Sequence, residues 1–120
     1  MTIQPHKLFE VYCDERGRRL FTKSILPGRA PFSEFLVTEK ENEFREWDPT
    51  RSKLAATIMK GCTNIGLRKD DVVLYLGISH GYTASFVSDI IGNEGLIFGI
   101  DTAPRVVRDL VLLDQERKNM

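Results

Sequence analysis

Two short apolar runs, Val72-Val73-Leu74-Tyr75-Leu76 and Leu96-Ile97-Phe98-Gly99-Ile100, constrain the fold of this chain more than any other feature. Each is nearly unbroken by polar side chains, the pattern of a strand covered on both faces of a parallel sheet. Between them Phe86, Val87, Ile90 and Ile91 share one face of a helix expected over 83–91, and Gly92-Asn93-Glu94-Gly95 turns the chain back. Strand, helix and strand together predict a βαβ unit. A final helix is expected after it, with Asp101 or Thr102 as its cap, Pro104 in its first turn, and Val107, Leu110 and Val111 as its buried stripe.

The first 47 residues follow a different pattern. Leu8-Phe9-Glu10-Val11-Tyr12 and Arg19-Leu20-Phe21-Thr22-Lys23 flank the turn residues Asp14-Glu15-Arg16-Gly17, which predicts a hairpin. After a turn at Pro27-Gly28, a second extended pair, 35–38 and 43–47, flanks the charged tip Glu39-Lys40-Glu41-Asn42. At Asp48-Pro49 the pattern becomes helical: Asp48 is the expected cap, Pro49 the first position, Leu54, Ala55, Ile58 and Met59 the apolar face, and Gly61 the stop. The expected fold is therefore α/β, a small antiparallel β-rich module over 1–47 followed by the first part of a Rossmann-like sheet over 48–120.

Charge narrows the function. Seventeen Lys and Arg balance seventeen Asp and Glu, so the electrostatic footprint of a general nucleic-acid binder is absent and any RNA contact must be local. Residues 1–29 carry six basic against three acidic side chains, and Arg51, Lys53, Arg105 and Arg108 extend a candidate phosphate-facing surface. Phe44 and Trp47 are candidates for stacking on a base, with core packing as the alternative. No apolar run has the length of a membrane span and the amino terminus lacks a secretory pattern, so a soluble intracellular protein is expected. Cys13 and Cys62 have neither a close partner nor a His cluster, which predicts free thiols and no metal site.

The segment that carries chemistry is Gly77-Ile78-Ser79-His80-Gly81-Tyr82-Thr83, at the junction of the first apolar strand and the helix. Glycines there let the backbone turn sharply and approach a ligand, and the helix start offers free N–H groups. The spacing G-x-x-x-G-x-T departs from the dinucleotide G-x-G-x-x-G. Asp101 ends the next strand, where a carboxylate accepts hydrogen bonds from two ribose hydroxyls, so both features point to an adenosine-type ligand. A tight strand-to-helix turn with a capping Asp101 remains the plainer alternative.

The run Arg45-Glu46-Trp47-Asp48-Pro49-Thr50-Arg51-Ser52-Lys53-Leu54-Ala55-Ala56 closely resembles the fibrillarin family of RNA-guided ribose 2′-O-methyltransferases. Leu20-Phe21-Thr22-Lys23, Pro27-Gly28, Leu76-Gly77, Val87-Ser88-Asp89-Ile90-Ile91-Gly92 and Ala103-Pro104-Arg105 are similar to the same family, in register over about residues 15 to 120. The resemblance implies S-adenosylmethionine as cofactor. It also implies C/D box guide RNA and its target rRNA or tRNA, a Nop-type scaffold protein, and a kink-turn-binding ribosomal-type protein as partners. Carried over by position, the cofactor contacts are Gly77, Gly81, Tyr82, Thr83, Asp101 and Thr102. Tyr82 and Thr83 stand where the family usually has two threonines, and Asp101-Thr102 where it has Glu and an apolar residue; Tyr82 and His80 are expected to crowd the glycine loop. Lys53 matches the first lysine of the family's Lys-Asp-Lys-His catalytic set, where a lysine can orient the 2′-hydroxyl or accept its proton; a solvated cation on an exposed helix face is the plainer alternative. The other three members would lie after Met120.

The chain is thus expected to be the amino-terminal portion of a fibrillarin-like enzyme, archaeal-type and cytoplasmic for want of a Gly/Arg-rich leader, nucleolar if eukaryotic. A non-catalytic assembly subunit and a nicotinamide-binding oxidoreductase fragment are the alternatives.

Overall fold

Alternating apolar side chains in the first half build two faces of one sheet. The structure, a computed structural model, describes residues 1–120. Strands β1 (Ile3–Pro5), β2 (Val11–Asp14), β3 (Leu20–Lys23), β4 (Leu36–Glu39) and β5 (Asn42–Trp47) form an antiparallel sheet in the order β1-β2-β3-β5-β4. Both predicted hairpins are present. The second turns on Lys40 at φ 57°, with Glu39 opposite Asn42. Ile3, Phe21 and Phe44 close one face, flanked by Tyr12 and Val37, and Val11, Leu20 and Trp47 the other. Phe44 and Trp47 are therefore core residues and not base-stacking platforms. Strand β1 had no signal in three residues that end in Pro5. The first predicted strand begins at Val11 and not Leu8, because Glu10 takes φ 55° and interrupts the extended backbone.

Helix α1 (Lys53–Met59) is capped by Ser52, whose Oγ accepts from the Ala55 amide at 3.2 Å. Asp48 does not cap it: its Oδ1 is taken by the amide and hydroxyl of Thr50, at 2.8 and 2.7 Å, which delays the helix by four residues. Gly61, at φ 103°, ends the segment as expected.

Strands β6 (Val72–Leu76) and β7 (Leu96–Ile100) run parallel, with Val72 opposite Leu96 and Leu76 opposite Ile100, and α2 (Tyr82–Ile91) crosses between them. Ala84, Val87 and Ile91 of α2 pack on Val73, Tyr75 and Ile97. Only that face is covered. Val72, Leu74, Leu76, Phe98 and Ile100 are 54–71% exposed, because no helix of this chain lies over them, so the expected two-sided burial is not met. Helix α3 (Pro104–Glu116) starts at Pro104, but its N-cap is Ala103 and neither Asp101 nor Thr102. Its buried stripe is also displaced: Val107 and Val111 are exposed, while Leu110 and Leu113 turn inward onto Gly81. None of the helices is long and apolar enough to cross a membrane. Both thiols are free, Cys13 buried and Cys62 half-buried.

The two sheets share one core. Leu8, Val11, Leu20 and Trp47 pack with Ala55 and Ile58 of α1 and with Tyr82, Phe86 and Ile90 of α2, and the Trp47 indole stacks on Phe86 at 5.2 Å between ring centres. A buried charge network joins the same elements. Asp89 on α2 accepts from Thr22 at 2.6 Å, Arg45 at 2.9 Å and Arg117 at 2.8 Å, and Arg45 also donates to Glu34 at 2.6 Å. All four charged side chains are essentially inaccessible to solvent, so each charge depends on its partners for solvation.

Candidate functional site

The glycine junction forms because β6 must stop and α2 must start within a few residues. Gly77 and Gly81 take φ 76° and 90°, and Ser79 takes φ 57°, a left-handed run that ordinary side chains rarely allow. The loop is tied to the end of β7: the amides of Gly77 and Ile78 both donate to the Ile100 carbonyl, at 2.8 and 3.1 Å. The Ser79 amide donates to Asp101 Oδ2 at 2.8 Å.

Gly81 is the N-cap of α2 and has no side chain to satisfy the first turn. The amides of Tyr82, Thr83 and Ala84 find no acceptor within the chain, leaving three donors and the positive end of the helix dipole free. Tyr82 and Thr83 line a groove of about 1100 Å³, with Ala84 buried behind them. One wall of the groove is formed by residues 31–32 and the start of α1, the other by α3, and the floor by the glycine loop.

The predicted residues are distributed unevenly around it. Gly77, Tyr82, Thr83 and Lys53 line the groove. Thr83 donates through Oγ1 to Ser52 Oγ at 2.9 Å, and Ser52 is the cap of the helix that Lys53 begins, so one hydrogen bond fixes the two helix starts together. The Lys53 side chain is exposed. Gly81 does not line the groove: a Cβ there would lie 2.7–2.8 Å from Leu113 and Leu110 of α3, so it serves helix packing. Thr102 is exposed and makes no side-chain hydrogen bond within the chain.

Asp101 does not line the groove and is joined to its floor only through the Ser79 amide. Oδ1 accepts from the Ala103 amide at 3.0 Å. These N–H groups, Ala103 first and then Ser79, hold its carboxyl below the usual carboxylate range. Each carboxylate oxygen can accept more than one hydrogen bond, which suits a pair of ribose hydroxyls.

Tyr82 does not crowd the loop. Its ring turns into the shared core, edge-on to Phe32 and Phe86 at 5.3 and 5.0 Å, and its hydroxyl accepts from the Asp48 amide at 2.8 Å. Burial pushes its phenol above the ordinary value, so it stays neutral. His80 lines the groove and is held to its α3 side by pairing with Asp109 at 2.8 Å. Phe32 was not foreseen as a wall residue. It reaches the groove because Glu34, paired with Arg45, accepts from the Phe32 amide at 2.9 Å, a long-range arrangement without a local pattern.

A family model for fibrillarin matches residues 3–120. The chain belongs to the fibrillarin family. It is 47% identical to a fibrillarin-like rRNA/tRNA 2′-O-methyltransferase of Thermococcus sibiricus, over all of this chain and 54% of that protein, and 45% identical to that of Pyrococcus horikoshii. The crystal structure of Aeropyrum pernix fibrillarin with natively bound S-adenosyl-L-methionine superposes with a TM-score of 0.91 at 41% identity, covering 99% of this chain and 54% of that one. A fibrillarin/Nop5p complex gives 0.75 at 38% identity, covering 92% of this chain and 48% of that one. This fibrillarin-family chain spans about half the length of the curated relatives it matches.

Proposed function

We propose that this chain supplies the cofactor side of an S-adenosylmethionine-dependent ribose 2′-O-methyltransferase. In this reading it acts on rRNA and tRNA under the direction of C/D box guide RNA, in a particle with a Nop-type scaffold and a kink-turn-binding protein. The observation that carries the reading is the meeting, at one groove, of the unpaired amides of α2, Thr83 and Lys53, with the Asp101 carboxylate bonded to the loop that floors it. The names of the relatives and the cofactor in the Aeropyrum pernix structure support it.

The residues present fit such a nucleoside. Gly77 leaves open space where a Cβ would stand, so a ligand can approach its backbone closely. Asp101 would accept from the ribose hydroxyls of the cofactor, and the free amides at the start of α2 would receive its carboxylate. When bound, S-adenosylmethionine supplies a methyl group activated by the adjacent sulfonium. Lys53 would orient the acceptor 2′-hydroxyl toward it, and the Ser52–Thr83 bond holds the backbone of Lys53 in register with the cofactor loop. Transfer is an in-line displacement, so holding the two reactants in line is the main contribution the protein makes.

Calorimetric titration of the full chain tests the reading. S-adenosylmethionine is expected to bind and NAD is not; the opposite result overturns it in favour of a nicotinamide site. In the assembled particle, Lys53→Ala is expected to abolish ribose methylation while cofactor affinity stays within about two-fold, and unchanged turnover would remove Lys53 from its role.

A further inference from the structure

The groove has charged walls of opposite sign. The α3 side presents Asp109 and Glu116, whereas the side formed by α1 and residues 31–32 presents Arg51 and Lys53. Arg51 is set in place with unusual care for an exposed arginine. Its guanidinium lies 4.2 Å from the centre of the Tyr82 ring and 5.9 Å from that of Phe32, and Nη1 donates to the Phe32 carbonyl at 3.1 Å. The two rings are themselves fixed, edge to face, by the core.

A guanidinium stacked by its face and tethered by one N–H has its remaining edge free for an acceptor in plane. No carboxylate lies within ion-pair distance of it, whereas Arg19, Arg45 and Arg117 are each paired. Arg51 is therefore a preordered cation with no direct ion pair, its charge acting only at longer range on the Asp48 carboxyl, and it stands two residues before Lys53. Each internal ribose of an RNA strand carries a phosphodiester on either side, and two parallel N–H groups match its non-bridging oxygens.

The geometry points to Arg51 as a positioning residue that grips a phosphodiester of the substrate RNA next to the acceptor nucleotide, with the ring of Tyr82 as its platform. This rests on the methyltransferase reading above and names the substrate contact on the basic wall. The strand then runs along the wall of α1, away from Asp109 and Glu116.

The test measures binding of a fluorescent single-stranded RNA oligonucleotide to the full chain saturated with S-adenosylmethionine, as a function of salt. Arg51→Gln, which keeps a donor for the Phe32 carbonyl but no charge, is expected to weaken binding roughly ten-fold and to lower the slope of log affinity against log salt by about 0.7, the loss of one phosphate contact on a single strand. Arg51→Lys keeps the charge without the planar stack, so the salt slope is expected to stay at the wild-type value while affinity falls less. Melting temperatures are expected to match among the three proteins. Equal affinity and slope in wild type and Arg51→Gln, absence of RNA binding by the wild type, or a loss that follows a fall in melting temperature would each overturn the assignment. A shift in cofactor affinity without a shift in RNA affinity would also overturn it, placing Arg51 on the cofactor carboxylate. Failure of the methyltransferase reading is distinct, because it appears as absent S-adenosylmethionine binding in the calorimetric titration.

Discussion

Asp101 shows how little a single side chain needs in order to be ready for a ligand. Two backbone amides keep its carboxylate ionised and aimed, at a half-buried position where the opposing desolvation is the smaller effect. Its folded pKa is depressed, so the ionised form persists at neutral pH and is lost as pH falls through that lowered value. Affinity for S-adenosylmethionine is accordingly expected to stay flat on acidification through the ordinary carboxylate range and to drop only below it, while Asp101→Asn binds roughly ten-fold more weakly at neutral pH; titrations across pH on both proteins check this. Thr83 makes the complementary case for a side chain that acts through another. Thr83→Val removes its bond to Ser52 and is expected to cost about 1 kcal/mol of stability in denaturant titration and to reduce turnover more than cofactor affinity, because Lys53 loses its register.

Among the elements, those with local patterns were legible in the sequence. The hairpins, the βαβ unit and the start of α3 at Pro104 all follow from alternation, helical spacing and turn residues within a few positions of one another. Gly99 of β7 is a tight example: a Cβ there would meet the side chain of Ile78, so Gly99→Ala is expected to destabilise the chain by about 1–3 kcal/mol through overpacking, seen as a lower denaturation midpoint. What escaped depends on competition or distance. Asp48 has the chemistry of a cap, but Thr50 claims its carboxylate before the helix begins. The stripe of α3 has the right period but the wrong phase, since the two leucines that meet Gly81 fix which face turns inward. The same limit applied at the site: Lys53, Gly77 and Thr83 could be placed at the groove by motif, whereas the inward turn of Tyr82 depends on Asp48, 34 positions earlier, whose amide binds its hydroxyl.

For the whole molecule, the deciding feature is that the antiparallel sheet and the βαβ unit meet over one core and one charge network. Asp89 receives Thr22 from the first and Arg117 from beyond α3, with Arg45 between them. Asp89→Asn leaves two arginines inaccessible and undercompensated and is expected to cost about 3–5 kcal/mol, whereas an exposed pair such as His80–Asp109 can be removed for less than about 1 kcal/mol. Denaturant titrations of the two variants separate these outcomes. Trp47 lies at that junction, fully enclosed and stacked on Phe86, and the chain has no other tryptophan. The protein thus carries an intrinsic fluorophore at its seam, and any slippage between the two halves, thermal or ligand-driven, will register as a change in emission without a label being attached.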